Sequence, residues 1–313
     1  MLFSTVVFFS VLLNTPCAFS VTDPIPSKST EISAAYGKVI YRYNEKSPNQ
    51  LFIIGTSHRD SLTCANGPST AKVQAEVYKI GEWLIRERGL RLLLPEGFFK
   101  SPQRTGQKTS ISGGTKKEDR EPESLDLKVL EKRLDDSKTF INAEMLLKEN
   151  YPLCLEQVEN GPLYNMVRGG IQKLVNCGDN SGEYLLVKSE LDYLQDRRTA
   201  AMLQKVPDII QGEFNRGNIQ DRKAFLTIGL NHISNIIRYL NEKRITISSP
   251  PFASIPCEDY NAELNLAKEN FGVFIVLPRT LLEDQQALRI NGLGKMVIDP
   301  RNQSSTGASV SSR

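Results

Sequence analysis

The chain of 313 residues carries two histidines, His58 and His232, in matching surroundings. Leu51-Phe-Ile-Ile-Gly-Thr-Ser-His58 and Phe225-Leu-Thr-Ile-Gly-Leu-Asn-His232 each read as an apolar strand closed by Gly-x-x-His. Glycine lets a backbone turn sharply at a strand end without a Cβ clash. Imidazole binds metal ions or moves protons near neutral pH. With glycine at about 7% of residues, two histidines sharing this offset is roughly a half-percent coincidence. The matched pair therefore points to one shared site rather than to two satisfied core histidines.

A third apolar run, Leu90 to Leu94, ends in Pro95-Glu96-Gly97. A carboxylate closing a buried strand needs a partner, because burying it alone is costly. Two histidines and a glutamate form a catalytic zinc set with one position open for water. On that reading His58, His232 and Glu96 are the metal ligands. Glu96 could instead be the base that deprotonates the water. The segment Asp196-Arg197-Arg198-Thr199-Ala200-Ala201-Met202 falls on a predicted helix. Arg197 or Arg198 could hold a substrate carboxylate or an oxyanion. Arg59 and Asp60, beside His58, are candidates for a supporting role. No Gly-x-Ser-x-Gly, His-Glu-x-x-His or Walker A sequence is present, which argues against those chemistries.

These residues require strands that end together. Lys38–Tyr43 and Leu51–Gly55, joined by a turn with Pro48, suggest a hairpin. Val73, Val77, Ile80 and Leu84 follow Pro68-Ser69-Thr70 at helical spacing, and Gly89 closes that helix. Strand, helix, strand in that order suggests a parallel pair. Leu125–Asn150, Glu156–Asn176 and Glu183–Gly212 read as mainly helical, the last interrupted near Pro207. Lys223–Ile228 and Phe271–Leu277 are strands, and Ile233–Lys243 is an amphipathic helix. The expected fold is α/β. A mixed, largely parallel sheet is flanked by helices, with a helical middle segment and the strand–Gly-x-x-His units at the sheet's carboxyl end, where ligands bind in such folds. Residues 21–300 are expected to form one domain, with a disordered insertion at 101–124 and a disordered tail at 301–313.

The remaining features bound the setting. Residues Leu2–Leu13 are almost wholly apolar, and Ala18-Phe19-Ser20 offers small residues for a signal-peptidase cut. This predicts a signal peptide over 1–20 and a periplasmic or extracellular protein with no stable membrane span after cleavage. Asn14-Thr15-Pro16 is a poor lipobox before Cys17, which argues against a lipid anchor. Cys64, Cys154, Cys177 and Cys257 then permit either two disulfides or free thiols. A net charge of +3, with both signs mixed along the chain, gives no case for nucleic acid.

The two Gly-x-x-His motifs, Glu96 after a strand and the Asp-Arg-Arg-Thr-Ala-Ala-Met helix resemble, in their order, the TraB/PrgY/TIKI (GumN-like) family. That family sits within a wider group of ChaN-like and erythromycin-esterase-like proteins. The resemblance spans about residues 38–280. It implies an α/β fold with His58, Glu96, His232 and an arginine in one cleft. TIKI members are metal-dependent proteases, ChaN-like members bind haem, and TraB/PrgY members inhibit peptide pheromones. The implied function is thus an exported metal-dependent peptidase that acts on a peptide or small molecule, using a divalent ion such as Zn, Mn or Co. The alternative is a binding protein for haem, metal or peptide. The family helix often reads Glu-Arg-Asp-x-x-Met-Ala. Aligned on Met202, Arg198 takes the arginine position; aligned on the acid, Arg197 does.

Overall fold

The computed structural model describes residues 31–57, 67–100, 124–136, 141–177 and 182–294. The expected signal segment, residues 101–123 of the insertion and the tail lie outside the described residues, as do His58, Arg59, Asp60 and Cys64. Ser124, the last residue of the expected insertion, is held by hydrogen bonds to Lys79 and Glu82.

The chain begins with strands β1 (Gly37–Tyr43) and β2 (Gln50–Thr56), helix α1 (Thr70–Arg88) and β3 (Leu92–Pro95). Helices α2 (Leu127–Leu134) and α3 (Ala143–Asn150) precede a short β4 (Cys154–Leu155). Two longer helices follow, α4 (Gly161–Cys177) and α5 (Gly182–Asn215). Strand β5 (Lys223–Gly229) runs directly into α6 (Leu230–Glu242). Strands β6 (Arg244–Ile247) and β7 (Tyr260–Glu263) form a separate antiparallel ribbon. Then come α7 (Asn265–Lys268), β8 (Gly272–Pro278), α8 (Arg279–Glu283) and α9 (Gln285–Ile290). No helix among the described residues is long and apolar enough to cross a membrane.

The expected α/β class is what the chain adopts. The main sheet has the order β1-β8-β2-β5-β3-β4. All its pairings are parallel except that of the edge strand β1 with β8. Strands β2, β5 and β8 are almost continuously buried. That is why they read as unbroken apolar runs: helices cover both faces of such a sheet. Thr56 pairs with Gly229 and Pro95 with Thr227, so β2, β5 and β3 end at one edge. Helix α1 buries Val73, Val77, Ile80 and Leu84, the predicted stripe. It stops at Gly89, whose φ of +68° is left-handed and suits a residue without Cβ.

Four expectations need correction. Strands β1 and β2 are not a hairpin, because β8 lies between them. The Asn44–Asn49 connection crosses the start of β8 and is tied to it. Ser47 Oγ donates to Asn270 O at 2.5 Å, and Gly272 N donates to Asn49 O at 2.8 Å. Similarly, β5 separates β2 from β3, so those strands are parallel but not neighbours. Pro207 does not interrupt α5, which is continuous from Gly182 to Asn215. Proline removes one backbone bond and crowds the preceding turn, but here Val206, Pro207 and Ile210 are buried, and that packing holds the helix together. Finally, Glu156–Asn160 is a loop leading out of β4, not helix.

Two predictions concern this framework. A Cβ on Gly272 would sit 2.7 Å from Asn44 O, a backbone atom that cannot move alone. Gly272→Ala is therefore expected to lower stability by about 1–3 kcal/mol. Gly212→Ala, whose nearest neighbour is the mobile Arg216 side chain at 3.6 Å, should be neutral or stabilising. Denaturant midpoints check both. Glu82 is a buried residue of α1, and burial alone would raise its pKa. Lys79, at 2.7 Å, and Tyr151, at 2.7 Å, outweigh burial and hold its carboxyl below the usual range. A carboxylate with a lowered folded pKa adds stability above its unfolded value, near 4.3, and that stability is lost as pH falls through the folded value. Acid titration of stability should therefore be shallower in Glu82→Gln than in the parent.

Candidate functional site

Glu96 stands just beyond β3 in a tight turn closed by Phe98 N donating to Pro95 O at 3.4 Å. Gly97 takes a φ of +71° there, the left-handed position that favours glycine. Glu96 N donates to Thr227 O at 3.0 Å, which continues the ladder with β5. The carboxylate Oε2 accepts from Gly229 N at 2.5 Å, at the cap of α6. A negative charge is favoured at a helix start, where the backbone N–H groups lack partners. This sharpens the role of the motif glycines. Gly229 has an ordinary φ of −57° and serves through its N–H. Gly55 gives room, since a Cβ there would meet Leu277 Cδ2 at 2.5 Å and Ile233 Cγ1 at 3.5 Å.

The arginine is Arg198. Its Nη2 lies 2.7 Å from Glu96 Oε1 and 2.6 Å from Glu159 Oε2, and its Nε donates to Glu159 Oε1 at 3.0 Å. The guanidinium also lies over the Tyr164 ring, 5.2 Å from its centroid. Burial would make its proton easier to lose, but Glu159 and Glu96 outweigh that and raise its pKa. Glu159 is completely buried and accepts further from Asn160 N and Gly97 N. The three side chains together hold two negative charges against one positive.

His232 completes the group from the first turn of α6, with 1% of its surface exposed. Its Nδ1 lies 2.5 Å from Thr199 Oγ1, and Thr199 Oγ1 donates to Gln195 O at 2.8 Å. A hydroxyl has one proton to give. With that proton on Gln195 O, the short contact requires Nδ1 to carry the imidazole proton, which leaves a lone pair on Nε2. His232 Nε2 sits 3.4 Å from Glu96 Oε1 and makes no hydrogen bond among the described residues. A ring nitrogen and a carboxylate oxygen at this separation in a buried place suit a shared proton or a metal ion, in addition to the Arg198 contact on Oε1.

The structure thus gathers Glu96, His232 and Arg198, three of the residues singled out by sequence. Arg197 points elsewhere: its guanidinium lies 4.3 Å from the Tyr260 ring centroid and 5.9 Å from that of Tyr193. Burial raises the pKa of Asp196, while Arg238 at 3.5 Å opposes the shift. His58, Arg59 and Asp60 lie outside the described residues, but the strand before them is firmly held. Buried Gln74 donates to Thr56 Oγ1 at 3.0 Å and Ser57 O at 2.9 Å, and accepts from Ala143 N at 2.9 Å. Sequence reasoning missed Gln74, Glu159 and Tyr164. Glu159 is one of three acidic or amide residues in Glu156-Gln157-Val158-Glu159, and no motif marks it. A separate grouping of Cys154, Glu156 and Glu213 places one ligand atom each within 4.8 Å of one another, an arrangement that could hold a metal ion. Cys154, Cys177 and Cys257 form no disulfides with one another.

Two measurements follow from this geometry. Thr199→Val should move His232 toward the Nε2–H tautomer, while Thr199→Ser keeps the parent state. With two histidines in the chain, nitrogen-15 NMR of the imidazoles reads this directly. Breaking a buried ion pair strands a charge, so Arg198→Met should cost about 3–5 kcal/mol. Arg197→Met loses mainly ring contacts and should cost about 1 kcal/mol. Equilibrium unfolding separates the two.

Comparison with known proteins finds no matching family model, no matching curated protein and no matching solved structure, so the chemistry of the site has to come from its own geometry.

Proposed function

We propose that the chain is an exported metal-dependent hydrolase, a peptidase of the TraB/TIKI type, working at the carboxyl edge of its sheet. One observation carries the reading: buried His232 Nε2, without a hydrogen bond among the described residues, lies 3.4 Å from Glu96 Oε1. Imidazole and carboxylate suit Zn, Mn or Co ions. His232 and Glu96 would hold such an ion, with His58 as the third ligand by its matching motif. When bound, a divalent ion supplies a water whose pKa falls toward about 7.

The protein's own groups have distinct tasks in this reading. Thr199 sets the His232 tautomer and ring direction. Arg198 and Gly229 N fix the two oxygens of Glu96, so that Oε1 stays turned to His232. Glu159 neutralises Arg198 and holds it in place. Glu96 would either help to hold the ion or serve as the base that accepts a proton from water. Arg198 already serves two carboxylates, so it acts by positioning Glu96 rather than by gripping a substrate carboxylate.

The test is metal analysis of the purified protein beside hydrolysis of a peptide library. His58→Ala and His232→Ala should each lower metal content and abolish cleavage. Glu96→Gln should lower the rate by about 10²–10⁴-fold. Unchanged metal content and unchanged cleavage in both histidine variants would sink the reading. The saturation of Arg198 favours one second reading, in which the site holds an ion without turnover. Histidine-dependent metal content with no cleavage across the library would select it.

A further inference from the structure

We propose that Cys154, Glu156 and Glu213 form a second metal site, built for a thiophilic divalent cation with Zn as the first choice. It is separate from the His232 site. Glu213 lies fifteen residues after Arg198 on the same helix, about 22 Å along its axis. Nothing in the proposed hydrolase uses it.

The site comes from two elements. Cys154 and Glu156 flank Leu155 at the edge strand β4, so the alternation of a strand turns both to one side. Glu213 reaches them from the last turns of α5, with 1% of its surface exposed. Cys154 Sγ is 3.2 Å from Glu213 Oε2 and 3.8 Å from Glu156 Oε1. A tetrahedral zinc with sulfur at about 2.3 Å and oxygen at about 2.0–2.2 Å places sulfur and oxygen roughly 3.5 Å apart. The two observed sulfur–oxygen separations bracket that edge length.

A second observation is that the cluster already collects cations. Lys100 Nζ bonds to Glu156, and Arg216 bonds to Glu213. Asn218 Nδ2 donates to Glu213 Oε2 at 2.7 Å. Lys100 and Arg216 are 50% and 61% exposed, so both can swing into water and yield the carboxylates to an ion. A thiol beside two carboxylates selects for zinc over magnesium or calcium, which take oxygen alone. As the ion enters, Cys154 gives its thiol proton to the solvent and sulfur binds as thiolate. The ion then ties the edge of the sheet to the end of α5.

The test uses the purified full chain titrated with Cd as an optical probe and with Zn for thermal shift. Cd should produce a thiolate-to-metal absorption band in the ultraviolet. The band should survive His232→Ala, vanish in Cys154→Ser and weaken at least about tenfold in apparent affinity in Glu213→Gln. Arg216→Ala and Lys100→Ala remove the competing cations, so both should bind several-fold more tightly than the parent. In the His232→Ala background, which removes the first site, Zn should still raise the melting temperature, and it should no longer do so once Cys154→Ser is added. No band in the parent, or an undiminished band in Cys154→Ser, overturns the proposal. So does unchanged or weaker binding in both Arg216→Ala and Lys100→Ala, which would make those ion pairs structural.

Discussion

The carboxylate of Glu96 joins three parts of the molecule that are distant in sequence: the end of β3, α5 and the start of α6. It ends β3, bonds the cap of α6 through Gly229 N, meets Arg198 of α5 and faces His232. A charge so placed cannot be removed singly. Without Glu96, Arg198 would keep one carboxylate, the start of α6 would lose its anion, and His232 Nε2 would lose its carboxylate neighbour. Glu159 does for Arg198 what Arg198 does for Glu96. The result is a chain of dependence running from a loop before α4 to the imidazole. Buried ion networks of this kind contribute modestly to net stability, since desolvation offsets attraction. What they fix is geometry, and here the geometry is that of a nitrogen and an oxygen aimed at one point.

Much of the fold was legible because its central strands are buried on both faces. Leu51–Gly55, Lys223–Ile228 and Phe271–Leu277 are dense in β-branched, leucine and aromatic residues, and each is a strand. The stripe of α1 was legible for the same reason. What could not be read was adjacency. The sequence between β1 and β2 suits a hairpin, and nothing local reveals that a strand from far along the chain will enter between them. Short elements such as β4 and β7 owe their form to their neighbours, whereas β6 carries a strict alternation, Arg244-Ile-Thr-Ile247, that was present in the sequence. Pro207 was misjudged because its local cost is visible in sequence, whereas the packing that offsets it is not.

The site was legible where a strand end carried it. Glu96 and His232 were marked by abrupt polar residues after apolar runs. Arg198 stood one step from ambiguity, and helix geometry resolves it. Leu191, Leu194, Arg198 and Met202 are all buried at spacings of three and four, the inward stripe of α5, while Arg197 lies one position off. That periodicity was present in the sequence and could have decided between the two arginines. Glu159 had no such mark. Its importance comes from a loop conformation that brings Gly97 N, Asn160 N and Arg198 onto one carboxylate.

The insertion of β8 between β1 and β2 reaches beyond the shape of the sheet. As the chain leaves a ribosome, β1 has no lateral partner until Gly272–Pro278 has been made. Pairings that span most of a chain form late and slowly, because the loop must close before the contacts return anything. Nor can β2 settle early against its other neighbour, β5, which also lies far downstream. The nascent chain therefore stays open through most of its synthesis.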